Sequence, residues 1–319
     1  MKRFLEEWNN DSPYVEVKTS GSTGEPKRMM VEKRRMLNSA RITCGFLGLK
    51  PGDTALLCMS TDYIAGKMMV VRSIERGLKL ITVEPCGHPL ADLDTPIDFA
   101  AMVPMQVYNS LQVPEERERL MRIRHLIIGG GAIDDAMAAA LRTFPNAVWS
   151  TYGMTETLSH IALRRLSGPT ASEWYSPFDT IRLSQTPEGC LVIDAPLVCA
   201  KPLVTHDIVT FSPTGQFRVV GRKDNVICSG GIKIQIEEVE RALKPHVRVP
   251  FMITKRRDEK FGEVVVLLTE GDPTAVRQVC EQVLPKYHVP KVYLQVARLP
   301  LTETGKPARQ QAEQLAADC

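Results

Sequence analysis

Apolar positions along this chain alternate between two spacings. Short apolar runs stand at Thr54–Met59, Lys79–Val83, His125–Ile128, Ala147–Thr151, Cys190–Ile193, Gln216–Val220, Val226–Cys228, Val249–Ile253, Val264–Thr269 and Lys291–Val296. Helical spacing covers Glu32–Leu47, Ala65–Arg76, Val103–Ser110, Glu115–Arg122, Asp134–Thr143, Gln235–Leu243, Pro273–Val283 and Ala308–Ala317. The former predict strands and the latter helices. Their alternation predicts an α/β fold, and the last hundred residues read as a smaller α+β unit. Gly221-Arg222-Lys223-Asp224 is a polar, Gly-led break, so the expected domains are residues 1–221 and 222–319. No internal repeat or low-complexity segment interrupts this pattern.

Composition narrows the class. A chain of 319 residues suggests about two domains. With 44% hydrophobic and 24% charged residues it is expected to fold rather than stay disordered. The net charge of +3 is spread over both parts, which argues against a nucleic-acid partner. Lys33-Arg34-Arg35 and Lys255-Arg256-Arg257 read as solvated faces. No apolar stretch approaches the roughly 18–20 residues of a membrane span. Glu6-Glu7 arrives before any signal-like apolar segment, so a cytoplasmic location is expected. Eight cysteines without a CxxC spacing, and isolated histidines, predict reduced thiols and no structural zinc.

The densest chemistry lies in Thr19-Ser20-Gly21-Ser22-Thr23-Gly24-Glu25-Pro26-Lys27. Glycines let a loop expose its N–H groups, while hydroxyls and a lysine complete an anion cradle suited to phosphate. Pro26 before Lys27 rules out a Walker A loop. The loop resembles the phosphate-binding signature of the adenylate-forming enzymes: acyl-CoA synthetases, peptide-synthetase adenylation domains and luciferases.

Four further segments resemble that family's motifs, in its order. In Ile127-Ile128-Gly129-Gly130-Gly131-Ala132, the resemblance implies backbone at Gly130, Gly131 and Ala132 lying against adenine. In Thr151-Tyr152-Gly153-Met154-Thr155-Glu156-Thr157 it implies Tyr152 and Gly153 at adenine, Thr155 on the α-phosphate and Glu156 on Mg2+. Thr205-His206-Asp207 resembles a Thr-Gly-Asp motif whose carboxylate, Asp207, takes the ribose hydroxyls; His206 departs from it. Gly221 to Ile234 resembles the longest signature, with Arg222 on ribose and phosphate, Asp224 as the hinge and Gly230-Gly231 bordering the coenzyme A tunnel. Pro300 to Arg309 resembles the C-terminal signature. Its lysine, Lys306, is catalytic by resemblance, and Pro307 stands where an aliphatic residue is usual.

The resemblance implies a large α/β N-terminal domain joined by a hinge to a small α+β domain. Relatives carry well over a hundred residues before the phosphate loop, against 18 here, so the usual first subdomain is expected to be missing. The surface so exposed would be covered in a homo-oligomer or carry polar residues. The implied activity joins a small-molecule carboxylic acid to coenzyme A through an acyl-adenylate, with ATP and Mg2+. For the acid, Tyr63-Ile64-Ala65-Gly66 followed by Arg72 resembles the His-x-x-Gly-x-x-x-x-x-Arg pattern of the o-succinylbenzoate–CoA ligases of menaquinone synthesis, Tyr63 replacing histidine. Ser159 and His160 resemble their acyl-pocket positions. Arg72 and Lys67 also fit an ordinary charged helix face, and Ser159 a helix cap. Adenylation of another aryl or amino acid, or a nucleotide-binding protein without catalysis, remain open.

Overall fold

The computed structural model describes residues 1–18, 28–302 and 306–318. The chain opens with helix α1 (Lys2–Asn9) and the antiparallel hairpin of β1 (Tyr14–Lys18) and β2 (Arg28–Glu32). Helix α2 (Lys33–Phe46) leads into the units β3 (Thr54–Leu57), α3 (Ile64–Arg76) and β4 (Lys79–Thr82). Next come β5 (Phe99–Met102), α4 (Pro104–Gln112), α5 (Pro114–Arg122), β6 (His125–Ile128), α6 (Asp135–Arg142) and β7 (Ala147–Gly153). With β8 (His160–Arg165) and β9 (Ser176–Pro177) these form a seven-stranded sheet ordered β4-β3-β5-β6-β7-β8-β9. Neighbours from β4 to β7 are parallel, and β8 and β9 are antiparallel additions.

Strand alternation sends successive side chains to opposite faces. Ala55, Leu57, Phe99, Ala101 and Ile127 therefore join α2 and α3 in one core. Leu56, Ala100, Leu126, Ile128 and Val148 join a second core that holds Val107 of α4, Leu120 of α5 and Leu141 of α6. A sheet buried on both faces reads as short continuous apolar runs, the pattern seen at His125–Ile128.

Strands β10 (Arg182–Gln185), β11 (Cys190–Asp194), β12 (Leu203–Phe211) and β13 (Phe217–Arg222) make an antiparallel four-stranded sheet. A 3-10 turn, Lys223–Asn225, then enters a five-stranded sheet. Its strands are β14 (Val226–Ser229), β15 (Ile232–Gln235), β16 (Phe251–Asp258), β17 (Gly262–Thr269) and β18 (Val292–Gln295). Helices α7 (Ile236–Leu243) and α8 (Pro273–Val283) cover one face through Val239, Leu243, Val276 and Cys280. Helix α9 (Arg309–Ala317) covers the other through Ala312 and Ala316. The architecture is thus a large α/β part followed by a small α+β part. No helix among the described residues is long and apolar enough to cross a membrane, and the described cysteines are free thiols.

Candidate active site

The site gathers where β6, β7 and β13 end, beside the middle of β12. Beyond β6, a Cβ on Gly129 would stand 2.3 Å from Thr151 Oγ1, so any larger residue would have to displace that hydroxyl on β7. Gly130 follows with φ +81°, in the left-handed region that favours glycine. Gly131 and Ala132 complete the turn before α6. Near the end of β7, the Tyr152 ring packs edge-on against Phe217 at 5.0 Å and tilted against Tyr175 at 5.8 Å. Its hydroxyl donates to Asp207 Oδ2 at 2.6 Å. Burial and the Asp207 charge push this phenol above its usual range, which keeps it a neutral donor.

Asp207 on β12 lies in register with Arg222 on β13. Arg222 spreads over two carboxylates: Nη1 donates to Asp207 Oδ1 at 3.0 Å and Nη2 to Asp224 Oδ2 at 3.1 Å. His206 Nδ1 lies 2.8 Å from both oxygens of Asp224. Burial would raise the Asp224 carboxyl, but hydrogen bonds from His206 and Arg222, with the Arg222 charge, hold it below the usual carboxylate range. Lys306, in the C-terminal part, is paired with Thr302: its N–H donates to Thr302 Oγ1 at 3.1 Å, and the Thr302 N–H donates to its carbonyl at 2.8 Å. Burial lowers the Lys306 ammonium below its usual value, and the Arg222 guanidinium adds to this.

Thr155, Glu156 and Thr157 form a 3-10 turn after β7. Thr157 Oγ1 accepts from the Met154 N–H at 3.0 Å, and Leu158 takes φ +65°, which costs energy for a non-glycine residue. The Glu156 backbone is anchored by the Cys199 thiol, which donates to its carbonyl at 3.2 Å. The Glu156 side chain is exposed and, among the described residues, makes no hydrogen bond or ion pair. An unengaged carboxylate on an anchored turn suits Mg2+, which takes one or two carboxylates alongside phosphate and water oxygens. No cluster of three metal-ligating side chains exists among the described residues.

A second cluster lies beside the first, because His160 opens β8 opposite Gly153. A Cβ on Gly153 would come within 2.3 Å of Ser159 O, so this contact requires glycine. Arg72, only 2% exposed, reaches from α3 and donates from Nη2 to Ser159 Oγ at 2.5 Å. Ser159 Oγ lies 3.2 Å from His160 Nδ1, and His160 Nε2 lies 3.1 Å from Thr43 Oγ1 on α2. Burial and the Arg72 charge drive the His160 imidazole well below its usual value, so it is neutral. Burial also pulls Arg72 down to about 10, leaving it cationic at neutral pH. Its Nε is buried without a partner, and no described carboxylate lies within salt-bridge distance of it. A buried cation without a counter-charge is costly on its own and suits an anionic ligand.

Other expected residues lie elsewhere. Thr19, Ser20, Gly21, Ser22, Thr23, Gly24 and Lys27 fall outside the described residues. Tyr63 precedes α3 and bridges to Lys18, and Arg72 stands nine positions further along, roughly 13 Å of helical rise. Lys67 is committed to α1 and β1, donating to Glu16 O at 2.6 Å and to Glu7 Oε2 at 3.2 Å. Ser159 caps no helix; it precedes β8. Gly230 and Gly231 turn β14 into β15 with φ +57° and +85°, and the Gly230 N–H donates to Phe261 O at 2.8 Å. Thr43 is the site residue sequence reasoning missed: it sits on the buried face of α2 and belongs to no motif.

Known proteins extend this geometry. A family model described as AMP-binding enzyme matches residues 3–179, more than half of the chain. An acyl-CoA synthetase (AMP-forming)/AMP-acid ligase II-like protein from Dyadobacter fermentans is 32% identical, with a TM-score of 0.67 over 98% of this chain and 92% of its own. A 2-succinylbenzoate–CoA ligase from Bacillus cereus is 25% identical over 97% of this chain and 71% of its own length. The o-succinylbenzoate coenzyme A synthetase from Bacillus subtilis, solved with ATP and magnesium, superposes with a TM-score of 0.78 at 21% identity, covering 93% of this chain and 69% of that one. The family match and the ligase relatives together show that the chain belongs to the AMP-binding enzyme family and is an acid–thiol ligase of the adenylate-forming kind.

Proposed function

We propose that the chain joins o-succinylbenzoate to coenzyme A in two half-reactions. In the first, the acid's carboxylate attacks the α-phosphate of ATP, forming acyl-adenylate and releasing pyrophosphate. Tyr152, with Gly130, Gly131, Ala132 and Gly153, frames adenine. Asp207 accepts from the ribose hydroxyls, and Arg222 orients Asp207. The loop Thr19–Lys27 holds the phosphates. Thr155 donates to the α-phosphate, and Lys306 neutralises the charge that builds between the attacking carboxylate and that phosphate. Glu156 would hold Mg2+, which supplies charge neutralisation on the phosphate oxygens. In the second half-reaction the coenzyme A thiolate displaces AMP. For this the part after Asp224 turns about that residue and brings Gly230 and Gly231 to the thiol's path. Residues 1–221 and 222–319 are then the two moving bodies.

The observation that carries the choice of acid is Arg72. Its buried guanidinium, bonded to Ser159 and facing no described carboxylate, supports an acid with a second anionic group. An amino-acid substrate would instead need an acidic residue for its amine, and none stands at this cluster among the described residues. The test is pyrophosphate release and thioester formation against o-succinylbenzoate, benzoate, fatty acids and amino acids. Preference for a monocarboxylic acid over o-succinylbenzoate would overturn the substrate, and no release with any acid would overturn the activity.

A further inference from the structure

Only the turn Lys223–Asn225 separates β13 from β14, so any rotation of the C-terminal sheet must pass through it. Side chains of the four-stranded sheet grip that turn. Arg222, the last residue of β13, holds Asp224 Oδ2 at 3.1 Å. From β12, His206 brings Nδ1 to 2.8 Å from each Asp224 oxygen. A carboxylate only accepts, so Nδ1 is the donor. His206 and Asp207 are successive on one strand and face opposite ways. One therefore serves the turn while the other meets Tyr152 and Arg222. Among the described residues, Lys244 to Asp134, at 3.1 Å, is a further ion pair between the two parts.

We propose that His206 is a positioning residue that latches this turn. Its bond to Asp224 holds the C-terminal sheet where Lys306 stands in the field of Arg222, and that bond must break before the sheet turns away. This rests on the two-step reading above, in which Lys306 serves the first step. The residue where Thr205-His206-Asp207 departs from its motif thereby sets the balance between the two arrangements. Both partners are partly open to water, with side-chain exposures of 58% and 43%, so the latch is weak enough to open in each cycle.

Hydrogen exchange followed by mass spectrometry on the full chain tests the latch without turnover. His206→Ala is expected to speed exchange in peptides covering residues 222–229 by roughly three- to fivefold, the scale of one exposed ion pair. The seven-stranded sheet and the melting temperature should stay as in the parent. His206→Asn, which keeps an N–H donor near the place of Nδ1, should restore most of the protection. Unchanged exchange in His206→Ala, or His206→Asn behaving like alanine, would overturn the latch. With an accepted acid, single-turnover assays on His206→Ala should show slower adenylate formation and faster thioester formation by a similar factor. Both half-reactions at parental rates would also overturn it. Failure of every acid would sink the two-step reading, while the exchange result would still decide whether His206 holds the turn.

Discussion

Arg72 is a cation kept in a place that cation alone would not choose. Its burial, its unpartnered Nε and its lack of a described counter-charge make it a stability cost. Arg72→Met, similar in length and apolar, is expected to leave the urea midpoint unchanged or higher while raising the KM for o-succinylbenzoate. The loss in acid binding should be about 1.5–3 kcal/mol, the scale of a hydrogen bond to a charged group. The KM for ATP should stay near the parental value, and Arg72→Lys should recover only part of the loss because an ammonium lacks the planar fork. Beside it, His160 adds a pH dependence. The unfolded histidine takes a proton near its ordinary 6.5, while the folded one resists because of burial and the Arg72 charge. The unfolded state therefore binds more protons as pH falls below about 6.5, and stability must fall with it. His125, lowered by burial and the Arg124 charge, acts in the same direction, so the test is differential. Urea midpoints between pH 7.5 and 5 should decline less steeply in His160→Gln than in the parent. Lys306→Ala should leave folding intact and slow acyl-adenylate formation by about 3 kcal/mol or more, through lost transition-state charge stabilisation. Thioester formation from preformed adenylate should survive; equal damage to both steps would remove Lys306 from the proposed role.

At the scale of elements, helix α3 depends on one glycine. A Cβ on Gly66 would stand 2.2 Å from Ser60 O and 2.9 Å from Met59 O, both backbone atoms that cannot swing aside. Glycine to alanine inside a helix ordinarily gains roughly 0.5–1 kcal/mol. Here overpacking of about 1–3 kcal/mol should win, since relief requires lifting α3 from the end of β3. Gly66→Ala is thus expected to lower the melting temperature and weaken acid binding together, because α3 also carries Arg72. A more stable Gly66→Ala would show that the segment at Ser60 yields. Gly66 and Arg72 could be picked out together in the sequence because a glycine and an arginine stand out on an otherwise apolar helix. The elements that sequence did not reveal lack such a signal. Helix α1 is only eight residues long and shows its apolar face through Phe4, Leu5 and Trp8, too little for a period. Strand β5 is four buried residues, Phe99–Met102, emerging directly from an aspartate-rich segment. Strand β12 is interrupted in pattern by Thr205, His206 and Asp207, whose polarity serves the site instead of the core. Thr43 was invisible because its hydroxyl is spent on Ser39 O one turn earlier in α2 and on His160 of β8.

At the scale of the whole molecule, the buried clusters among the described residues fall on either side of Gly221, where the sequence carries its polar break. The apolar runs before it feed the sheets of the large part, and those after it feed the two small clusters around β14–β18. The orientation of one part on the other could not be read, since it depends on a handful of polar bonds: His206 to Asp224, Gln235 to the Arg222 carbonyl and Lys244 to Asp134. Such bonds suit a joint that moves, because few apolar contacts must be broken when it does. The turn Lys223–Asn225 is where the backbone must absorb the rotation. Proline at Asp224 fixes φ near −65° and also discourages a helical conformation at Lys223. It therefore commits the turn to one arrangement and removes the carboxylate that His206 and Arg222 hold. Asp224→Pro is expected to separate the half-reactions, one retained within a few-fold and the other lost by at least a hundredfold if rotation is obligatory. Asp224→Ala, which removes the carboxylate but leaves the backbone free, should keep both steps and shift only their balance. Pyrophosphate exchange reads the first step, and transfer from preformed acyl-adenylate to coenzyme A reads the second. Normal rates for both steps in Asp224→Pro would move the hinge elsewhere. Equal loss of both in Asp224→Ala would make the carboxylate, rather than backbone rotation at this residue, the function of Asp224.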